Sequence, residues 1–258
     1  MLSSTNARLV AARRLTRRSA RRDTGRFLAE GAQAVREALA AGAVLESFAT
    51  AEALARHPEL TADAAEVSPR DAASLSETVT PQGLVAVCRL EQPALSTVLD
   101  RAPTLLAVLV EPAEPGNVGA IIRTADAAGA DAVVLVGGVD AYNGKAVRAS
   151  AGSLFHLPVV HVTDPPADVL VSLATRVATL ATTGDAKVDL DTLAEDGTLD
   201  GPTAWLFGTE AHGLPRDVLA RAAQTVRVPI HGRAESLNLA AAAAICLYAS
   251  ARAQRRSR

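Results

Sequence analysis

The sequence predicts an α/β protein whose larger, C-terminal part contains a parallel β-sheet covered by helices on both faces. Short, nearly continuous apolar segments recur from residue 105 onward, as is typical of strands buried on both faces. Helical segments alternate with these strands, and parallel strands need such crossover connections. Four of the loops that follow predicted strands also contain more polar residues and glycine than a connection needs.

Residues 1–90 alternate short helices and strands and predict a small α/β domain, followed by a linker at residues 91–104 with two prolines. The apolar positions among the N-terminal arginines suit an exposed basic helix within residues 5–22. The other predicted elements are a strand at 27–31, a helix at 32–41 ending at Gly42, a strand at 44–49, a helix at 51–56, a short segment at 65–67, a helix at 69–76 and a buried strand at 84–88.

Residues 105–258 predict the parallel-sheet domain. The predicted strands are 105–110, 132–136, 157–162, 177–182, 204–207 and 226–228, and the predicted helices are 118–128, 145–150, 167–175, 216–223 and 236–253. Pro229 ends the last strand because it cannot donate to a ladder, and Ser236 is a favoured N-cap for the alanine-rich helix that follows. Asn238 lies in the first turn of that helix, where it is either a second capping residue or a functional one.

The composition, with 49% hydrophobic and 21% charged residues in 258, is that of a globular protein with one large or two modest domains. No apolar run is long enough to span a bilayer, and the N-terminus lacks the apolar core of a secretory signal. Cys88 and Cys246 lie in apolar segments without ligand-like spacing and predict buried thiols in a reducing compartment. These features predict a cytoplasmic protein with no membrane segment.

The net charge of −2 conceals a strongly basic N-terminus. Residues 1–26 contain eight arginines and a single acid, so they carry a formal charge of +7 on an otherwise acidic chain. Such a concentration favours a polyanionic partner, RNA or DNA, although a solvated helix face would have the same composition. The candidate nucleic-acid contacts are Arg13, Arg14, Arg17, Arg18, Arg21 and Arg22.

Several common active-site motifs are absent from the sequence. A dinucleotide-binding turn needs G-x-G-x-x-G, but the turn at residues 115–120 has the wrong glycine spacing, and the preceding loop carries two acids that would repel a pyrophosphate. There is no P-loop, no HExxH, no G-x-S-x-G elbow and no Cys/His cluster. The five histidines share no metal-ligand spacing, so we expect no metal site.

Open parallel sheets bind ligands at the carboxyl ends of their strands, so we expect the chemistry in the loops after the strands. The four polar loops are 111–119, which leads into a helix containing Arg123, and 182–185, 208–215 and 229–238.

Three of these loops resemble the motifs of the SpoU/TrmH-type RNA 2'-O-ribose methyltransferases of the SPOUT superfamily. Asn117 with Arg123 is similar to the first motif, residues 207–214 to the second, and residues 228–230 with 236–238 to the third. Each motif alone is weak, but the three together, in order and after strands, are specific. Residues 149–155 also resemble the mid-domain helix of that family. The first domain is similar to the small substrate-RNA-binding domain that precedes the catalytic domain in the ribosomal-RNA branch.

The resemblance implies an S-adenosylmethionine-dependent methyltransferase with a deep trefoil knot, an exception to the rule that folds are unknotted. It also implies a homodimer with the active site near the subunit interface. The implied cofactor contacts are Thr183, Gly184, Gly208, Val228, Pro229, Ile230 and Leu237, where a glycine at 208 would let the backbone approach the ligand closely. The implied catalytic residues are Arg123, Asn117, Glu210, Ser236 and Asn238.

Methyl transfer to a ribose hydroxyl requires alignment of that hydroxyl and removal of its proton. Arg123 occupies the family's catalytic position, but a guanidinium stays protonated in proteins and is a poor base. We therefore expect Arg123 to stabilise the developing alkoxide or a neighbouring phosphate. Aromatic residues are few, so contacts with RNA shape and backbone would dominate over base stacking.

Taken singly, the candidate residues also have simpler interpretations. Arg123 could pair with Asp126 on the helix surface, Asn117 could be a helix N-cap, and Glu210 could favour the start of the next helix. Two other functions stay open as alternatives to ribosomal-RNA methylation. These are methylation of transfer RNA, and a catalytically silent RNA-binding protein of ribosome assembly.

Overall fold

The computed structural model describes residues 1–209 and 211–256, which form two compact units. The N-terminal unit consists of Met1–Glu91 together with Asp140–His156, and the C-terminal unit consists of Gln92–Val139 and the chain from Leu157 onward. Residues 140–156, which follow a strand of the second region, thus belong to the first unit. The domain bounds 1–90, 91–104 and 105–258 stay a prediction.

The helices and strands follow the predicted order closely. The helices are α1 (Ala7–Arg14), α2 (Arg18–Thr24), α3 (Ala32–Ala40), α4 (Ala51–Arg56), α5 (Pro69–Ala73), α6 (Leu95–Leu99), α7 (Pro115–Ala128), α8 (Gly144–Ala149), α9 (Pro166–Ala174), α10 (Leu190–Glu195), α11 (Arg216–Arg221) and α12 (Leu239–Arg256). The strands are β1 (Arg26–Glu30), β2 (Val44–Ala49), β3 (Ala65–Glu66), β4 (Leu84–Arg89), β5 (Leu105–Val110), β6 (Ala132–Val136), β7 (Val159–Val162), β8 (Ala178–Thr182), β9 (Val188–Asp189), β10 (Thr203–Phe207) and β11 (Gln224–Arg227).

The N-terminal unit is built on a four-stranded sheet in the order β1-β4-β2-β3, in which β4 is antiparallel to both of its neighbours. The single exposed basic helix predicted for residues 5–22 is wrong, because α1 and α2 are separate helices. Leu9 and Leu15 are buried in the core between the arginines, and this burial fixes α1 against the unit. Gly25 then ends α2 in the left-handed conformation, with φ 62°.

The C-terminal unit contains a seven-stranded sheet in the order β7-β6-β5-β10-β8-β11-β9, and every pairing in it is parallel. The predicted α/β fold with a parallel sheet is therefore confirmed. The sequence analysis missed β9 and α10, which lie in a polar stretch. It also missed α6, which occupies part of the predicted linker.

Helices cover both faces of this sheet. On one face, apolar residues of β5, β6 and β10 pack in one core with α6, α9 and α11, through side chains such as Val108, Leu170 and Val218. On the other, α12 packs against α7 and on β5 and β10. There the buried indole Nε1–H of Trp205 donates to Ser250 Oγ at 2.9 Å, so that the polar group of the largest core side chain is satisfied.

The two cysteines are buried, as the apolar segments around them predict. Burial raises the pKa of the Cys88 thiol to about 12 and raises the pKa of Cys246 as well, because a thiolate is poorly solvated there. Both therefore behave as small hydrophobic side chains. None of the helices formed by the described residues combines the length and apolar character that crossing a membrane requires.

Candidate active site

The strand order brings the four polar loops to one edge of the C-terminal sheet. Strands β5, β10, β8 and β11 are consecutive neighbours, and all run in the same direction, so their carboxyl ends lie side by side. The loops that begin at residues 111, 208, 183 and 228 follow these four strands. Ligands bind at the carboxyl edge of an open parallel sheet, and the four polar loops therefore lie where a ligand is expected.

The loop after β5 is held by backbone contacts with the loop after β6. Glu111, at φ 50°, donates its N–H to the carbonyl of Val136 at 2.9 Å, and Val139 N–H donates to the carbonyl of Pro112 at 3.0 Å. Helix α7 then begins at Pro115, three residues earlier than predicted, because proline is well suited to the first helical position. Its N-cap residue is Glu114, so Asn117 lies within the first turn and is not the cap.

Asn238 connects the starts of α7 and α12. Its amide Nδ2 donates to Asn117 Oδ1 at 3.2 Å, while its own Oδ1 accepts from the backbone N–H groups of Ala240 and Ala241 at 3.0 and 3.4 Å. The prediction of Ser236 as the N-cap is wrong, since α12 begins at Leu239 and Asn238 supplies the cap. The capping interpretation of Asn238 is thus confirmed, and the same side chain also reaches the first motif.

Arg123 lies on α7 with its side chain exposed. It makes no hydrogen bond or ion pair with any residue in 1–209 or 211–256, so the alternative pairing with Asp126 is not formed there. The guanidinium, with its planar set of donors, is available to a ligand.

The loop after β10 folds back on itself. Thr209 and Gly213 exchange two backbone hydrogen bonds, and the Thr209 hydroxyl accepts from His212 N–H at 3.1 Å. A Cβ on Gly208 would overlap the backbone of Gly213 and Leu214. Glycine is needed here because the loop's own returning backbone lies against it. Glu210 lies outside the described residues.

The remaining predicted cofactor contacts flank two neighbouring strand ends. Thr183 donates its N–H to the carbonyl of Val226 at 3.0 Å, which ties the loop after β8 to β11. A Cβ on Gly184 would meet nothing within 4 Å, so this backbone faces open space. Beyond β11, Ile230 and Leu237 are 39% and 37% exposed apolar side chains, Ser236 is exposed, and Val228 and Pro229 are half-buried.

An ion pair anchors the start of that last loop, and the sequence analysis missed it. Arg227 Nε and Nη2 donate to the two carboxylate oxygens of Asp189, at 2.7 and 3.2 Å, across the pairing of β11 with β9. The hydrogen bond from Arg227 lowers the pKa of the Asp189 carboxyl. Asp189 lies in a polar stretch where no strand was predicted, so nothing indicated that its carboxylate would pair with a strand far along the chain.

Two helix N-termini meet at this edge. Helices α7 and α12 pack together, with Asn117 against Asn238 at their starts and Gly129 near Arg255 toward their ends, so they run parallel. The positive ends of both macrodipoles therefore lie side by side at this edge of the sheet. This arrangement favours a negatively charged group of a ligand or a negative charge that develops during a reaction.

The candidate nucleic-acid contacts in the N-terminal unit fall into two groups. Arg21 is only 3% exposed; it pairs with Asp140 at 2.8 Å and also donates to two backbone carbonyls. Arg13 pairs with Asp71 at 2.5 Å and donates to Ser74 Oγ at 2.6 Å. These two arginines are thus used inside the unit. The exposed members are Arg14, Arg17, Arg18 and Arg22.

Within residues 1–209 and 211–256, no three His, Cys, Asp or Glu side chains are grouped closely enough to hold a metal ion.

The chain belongs to the SpoU rRNA methylase family, whose family model matches residues 104–248. A second family model, the MRM3-like substrate binding domain, matches residues 6–86. The parallel sheet with its motif-bearing loops thus coincides with the methylase match, and the small α/β unit with the substrate-binding match.

Similar proteins agree with this membership. The 23S rRNA (guanosine(2553)-2'-O)-methyltransferase RlmP of Bacillus subtilis is 35% identical, over 95% of this chain and 96% of that protein. The 23S rRNA (uridine(2479)-2'-O)-methyltransferase of Streptomyces viridochromogenes is 39% identical, over 67% of this chain and 61% of its own length.

Solved structures show the same fold. The SpoU methyltransferase AviRb of Streptomyces viridochromogenes in complex with AdoMet aligns with a TM-score of 0.82 at 31% identity, covering 98% of this chain and 100% of that one. An AdoMet-bound rRNA methyltransferase from Sinorhizobium meliloti aligns with a TM-score of 0.80 at 30% identity, covering 98% and 97%.

Replacing Asn238 should separate its capping role from its interaction with Asn117. We expect Asn238→Ala to lower the free energy of unfolding by about 1 kcal/mol, because α12 loses its N-cap. Asn238→Asp keeps an acceptor for the helix amides, so its free energy of unfolding should fall much less. Urea unfolding measures both values. Asn143→Ala removes the cap of α8, where Oδ1 accepts from Lys145 N–H at 2.9 Å, and is the matched control. Equal losses in both Asn238 variants would contradict the capping role.

Alanine substitutions at Gly208 and Gly184 should differ in their effect on stability. Gly208→Ala forces a Cβ into backbone and should destabilise the protein by about 1–3 kcal/mol in denaturant unfolding. Gly184→Ala meets open space and should leave stability unchanged. A tolerated Gly208→Ala would show that the loop after β10 is looser than these distances indicate.

Proposed function

We propose that this protein transfers a methyl group from S-adenosylmethionine to a ribose 2'-hydroxyl of RNA, and that its substrate is ribosomal RNA. The observation that carries the proposal is the hydrogen bond between Asn238 and Asn117 at the carboxyl edge of the sheet, with the exposed Arg123 about two turns further along α7, in a chain of the SpoU rRNA methylase family. The relatives named above as 23S rRNA 2'-O-methyltransferases support the choice of RNA.

The residues around this edge fit the cofactor. Gly184 presents open backbone, and the partly exposed apolar side chains of Ile230 and Leu237 suit an adenine ring. Val228 and Pro229 continue this surface, while Thr183 is positioned by its bond to β11. Gly208 keeps the neighbouring loop tight and contributes by shaping the site. When bound, S-adenosylmethionine supplies the electrophilic methyl group.

Arg123 stabilises negative charge in this proposal. A guanidinium cannot accept the proton of a ribose hydroxyl, but its donors can contact the developing alkoxide or an adjacent phosphate. The neighbouring N-termini of α7 and α12 act in the same direction, since their dipoles favour negative charge at this edge. The proton of the hydroxyl passes to solvent or to a neighbouring acceptor, and this electrostatic stabilisation of the alkoxide favours that transfer.

In this proposal Asn117, Asn238, Ser236 and Glu210 position Arg123 and the RNA. Asn117 and Asn238 are tied to each other and fix the starts of the two helices. Ser236 is exposed just before that cap and can donate to a phosphate or ribose oxygen. Glu210 keeps the role that its motif implies, which is to orient Arg123 or the ribose.

A deep trefoil knot and a homodimer are part of the proposal. The knot is supported by the path of the chain after β11, which returns through residues 228–238 to pack α12 on the central strands β5 and β10. The homodimer is supported by apolar exposure on α12, where Ile245 and Tyr248 are 42% and 46% exposed. A cytoplasmic location is also part of the proposal, and a ribosomal-RNA substrate is compatible with it.

The exposed arginines of α1 and α2 supply phosphate contacts to the RNA. Arg14, Arg17, Arg18 and Arg22 project from two short helices at the start of the substrate-binding match. Contacts of this kind position RNA without reading its sequence.

Transfer RNA is the second candidate substrate. A structure described as giving insight into 2'-OH methylation of C/U34 on tRNA aligns at 30% identity with a TM-score of 0.52, over 61% of this chain. It covers less of the chain than the rRNA methyltransferase structure from Sinorhizobium meliloti does, which favours ribosomal RNA as the substrate.

A methyl-transfer assay with labelled S-adenosylmethionine on unmodified ribosomal RNA and on transfer RNA tests the function. Nuclease digestion and mass spectrometry should reveal a 2'-O-methylated dinucleotide from ribosomal RNA. We expect Arg123→Ala to lower the rate by on the order of 10²–10³ while cofactor affinity is unchanged, because only transition-state charge stabilisation is removed. Arg123→Lys should also lose most activity, since it lacks the planar fork.

The matched control is Arg176→Ala, another exposed arginine of the C-terminal unit, which should be fully active. Full activity in Arg123→Ala would contradict the assigned role. Absence of both transfer and cofactor binding in the unsubstituted protein would leave only the silent RNA-binding alternative.

Alanine substitution of Arg14, Arg17 and Arg22 together should weaken RNA binding. Filter binding over a salt series should show a slope reduced by about 0.7 for each arginine that neutralises a phosphate of single-stranded RNA. Arg21→Ala should instead destabilise the N-terminal unit, because it leaves Asp140 without its buried partner. Arg56→Ala, at an exposed ion pair with Glu52, is the control. It should change neither the salt slope of RNA binding nor the stability of the N-terminal unit. An unchanged slope in the triple variant would favour the solvated-face interpretation.

A further inference from the structure

A polar groove of about 200 Å³ lies on the surface of the N-terminal unit. We call it the Gln82 groove, and its polar lining comes from Glu30, Gln33, Thr78, Thr80, Gln82 and Arg148. Its volume is several times the share of one water molecule in the liquid, about 30 Å³, so it has room for a planar ring. The residues of the proposed catalytic site take no part in it.

A buried carboxylate holds one wall of the groove in place. The Glu30 side chain is 7% exposed and accepts from Ser76 Oγ at 2.6 Å, Thr78 Oγ1 at 3.1 Å and Arg148 Nη1 at 3.1 Å. These three donors satisfy the carboxylate, and the bond from Nη1 ties the Arg148 guanidinium to this wall. The other guanidinium nitrogens make no hydrogen bond to a described residue, although Arg148 is partly exposed to the groove.

The opposite wall presents an oriented amide. Gln82 Oε1 accepts from the N–H of Ala32 at 3.2 Å, which leaves the Nε2 donors free to face a ligand. A Cβ on Gly31, at φ 91°, would come within 2.9 Å of that Oε1, so the glycine makes this approach possible. The neighbouring Thr80 is exposed, and among the described residues its hydroxyl has no hydrogen-bond partner.

We infer that the Gln82 groove binds an unpaired base of the RNA substrate. Proteins read single-stranded RNA by hydrogen bonds to the base edges and by stacking bases on flat groups that include the Arg guanidinium. Gln82 and Thr80 supply the edge contacts, and Arg148 supplies a flat guanidinium that is tied to Glu30 through Nη1. The groove does not select a phosphate, because Glu30 balances the charge of Arg148 and Glu37 lies beside Gln33. This inference rests on the proposed function and adds a specificity site to it.

Two shape-conserving substitutions test the groove. Gln82→Glu keeps an oxygen for Ala32 N–H and removes the amide donors, and Thr80→Val removes the hydroxyl. In the methyl-transfer assay with the RNA that the unsubstituted protein modifies, we expect the double variant to raise KM for RNA about tenfold. Its kcat, its affinity for S-adenosylmethionine and its melting temperature should stay unchanged. Gln92→Glu, at an exposed position of the other unit, controls for the added negative charge and should leave KM unchanged.

Photo-crosslinking with 4-thiouridine-substituted RNA gives an independent readout. The peptide that contains residues 78–82 should carry the crosslink in the unsubstituted protein and lose it in the double variant. Unchanged KM and crosslinking in the double variant would overturn the groove assignment and leave the methyltransferase proposal standing. An equal rise of KM in Gln92→Glu would also overturn the assignment, since charge alone would then explain it. Absence of methyl transfer by the unsubstituted protein would overturn the proposed function and this inference with it.

Discussion

The position of β10 between β5 and β8 is the constraint on which the rest of the C-terminal unit depends. It makes neighbours of four strands that are far apart in the chain, and it forces the chain after β11 to return across the sheet so that α12 can pack on β5 and β10. Because all of these strands are parallel, their carboxyl ends form one edge. The polar loops and the starts of α7 and α12 therefore lie along one edge that no single segment specifies, and Arg123 follows about two turns further along α7.

Asn238 shows how one side chain can begin a helix and also join it to a neighbouring helix. Its carbonyl oxygen satisfies helix amides that would otherwise lack partners, and its amide group reaches Asn117 on the neighbouring helix. The residue that begins α12 therefore also links the starts of two parallel helices. A ligand at this edge thus meets donors and partial positive charge whose positions are already fixed, which reduces the cost of ordering them on binding.

In the N-terminal unit, burial decides which arginines are structural. Arg21 and Arg148 face the carboxylates of Asp140 and Glu30, and each pair is largely removed from solvent. A buried charge must have such a partner, because desolvation alone is costly. Residues 140–156 supply one member of each pair, so the segment after β6 is fixed to the small unit by charge as well as by the packing of Tyr142 and Phe155 on Phe27. Arg14, Arg17 and Arg22, by contrast, are exposed.

The sequence by itself determined the class of the fold, most element positions and the family, because apolar periodicity, helix caps and the three motifs are local properties. It could not supply the strand order, the pairing of Arg227 with Asp189, the burial of Arg21 or the assignment of residues 140–156. It also placed the start of α12 at Ser236, where Asn238 caps the helix instead. These features depend on contacts between residues far apart in the chain. Only the tertiary structure decides them, since burial and partner, and not residue type, determine what a charged or polar side chain does.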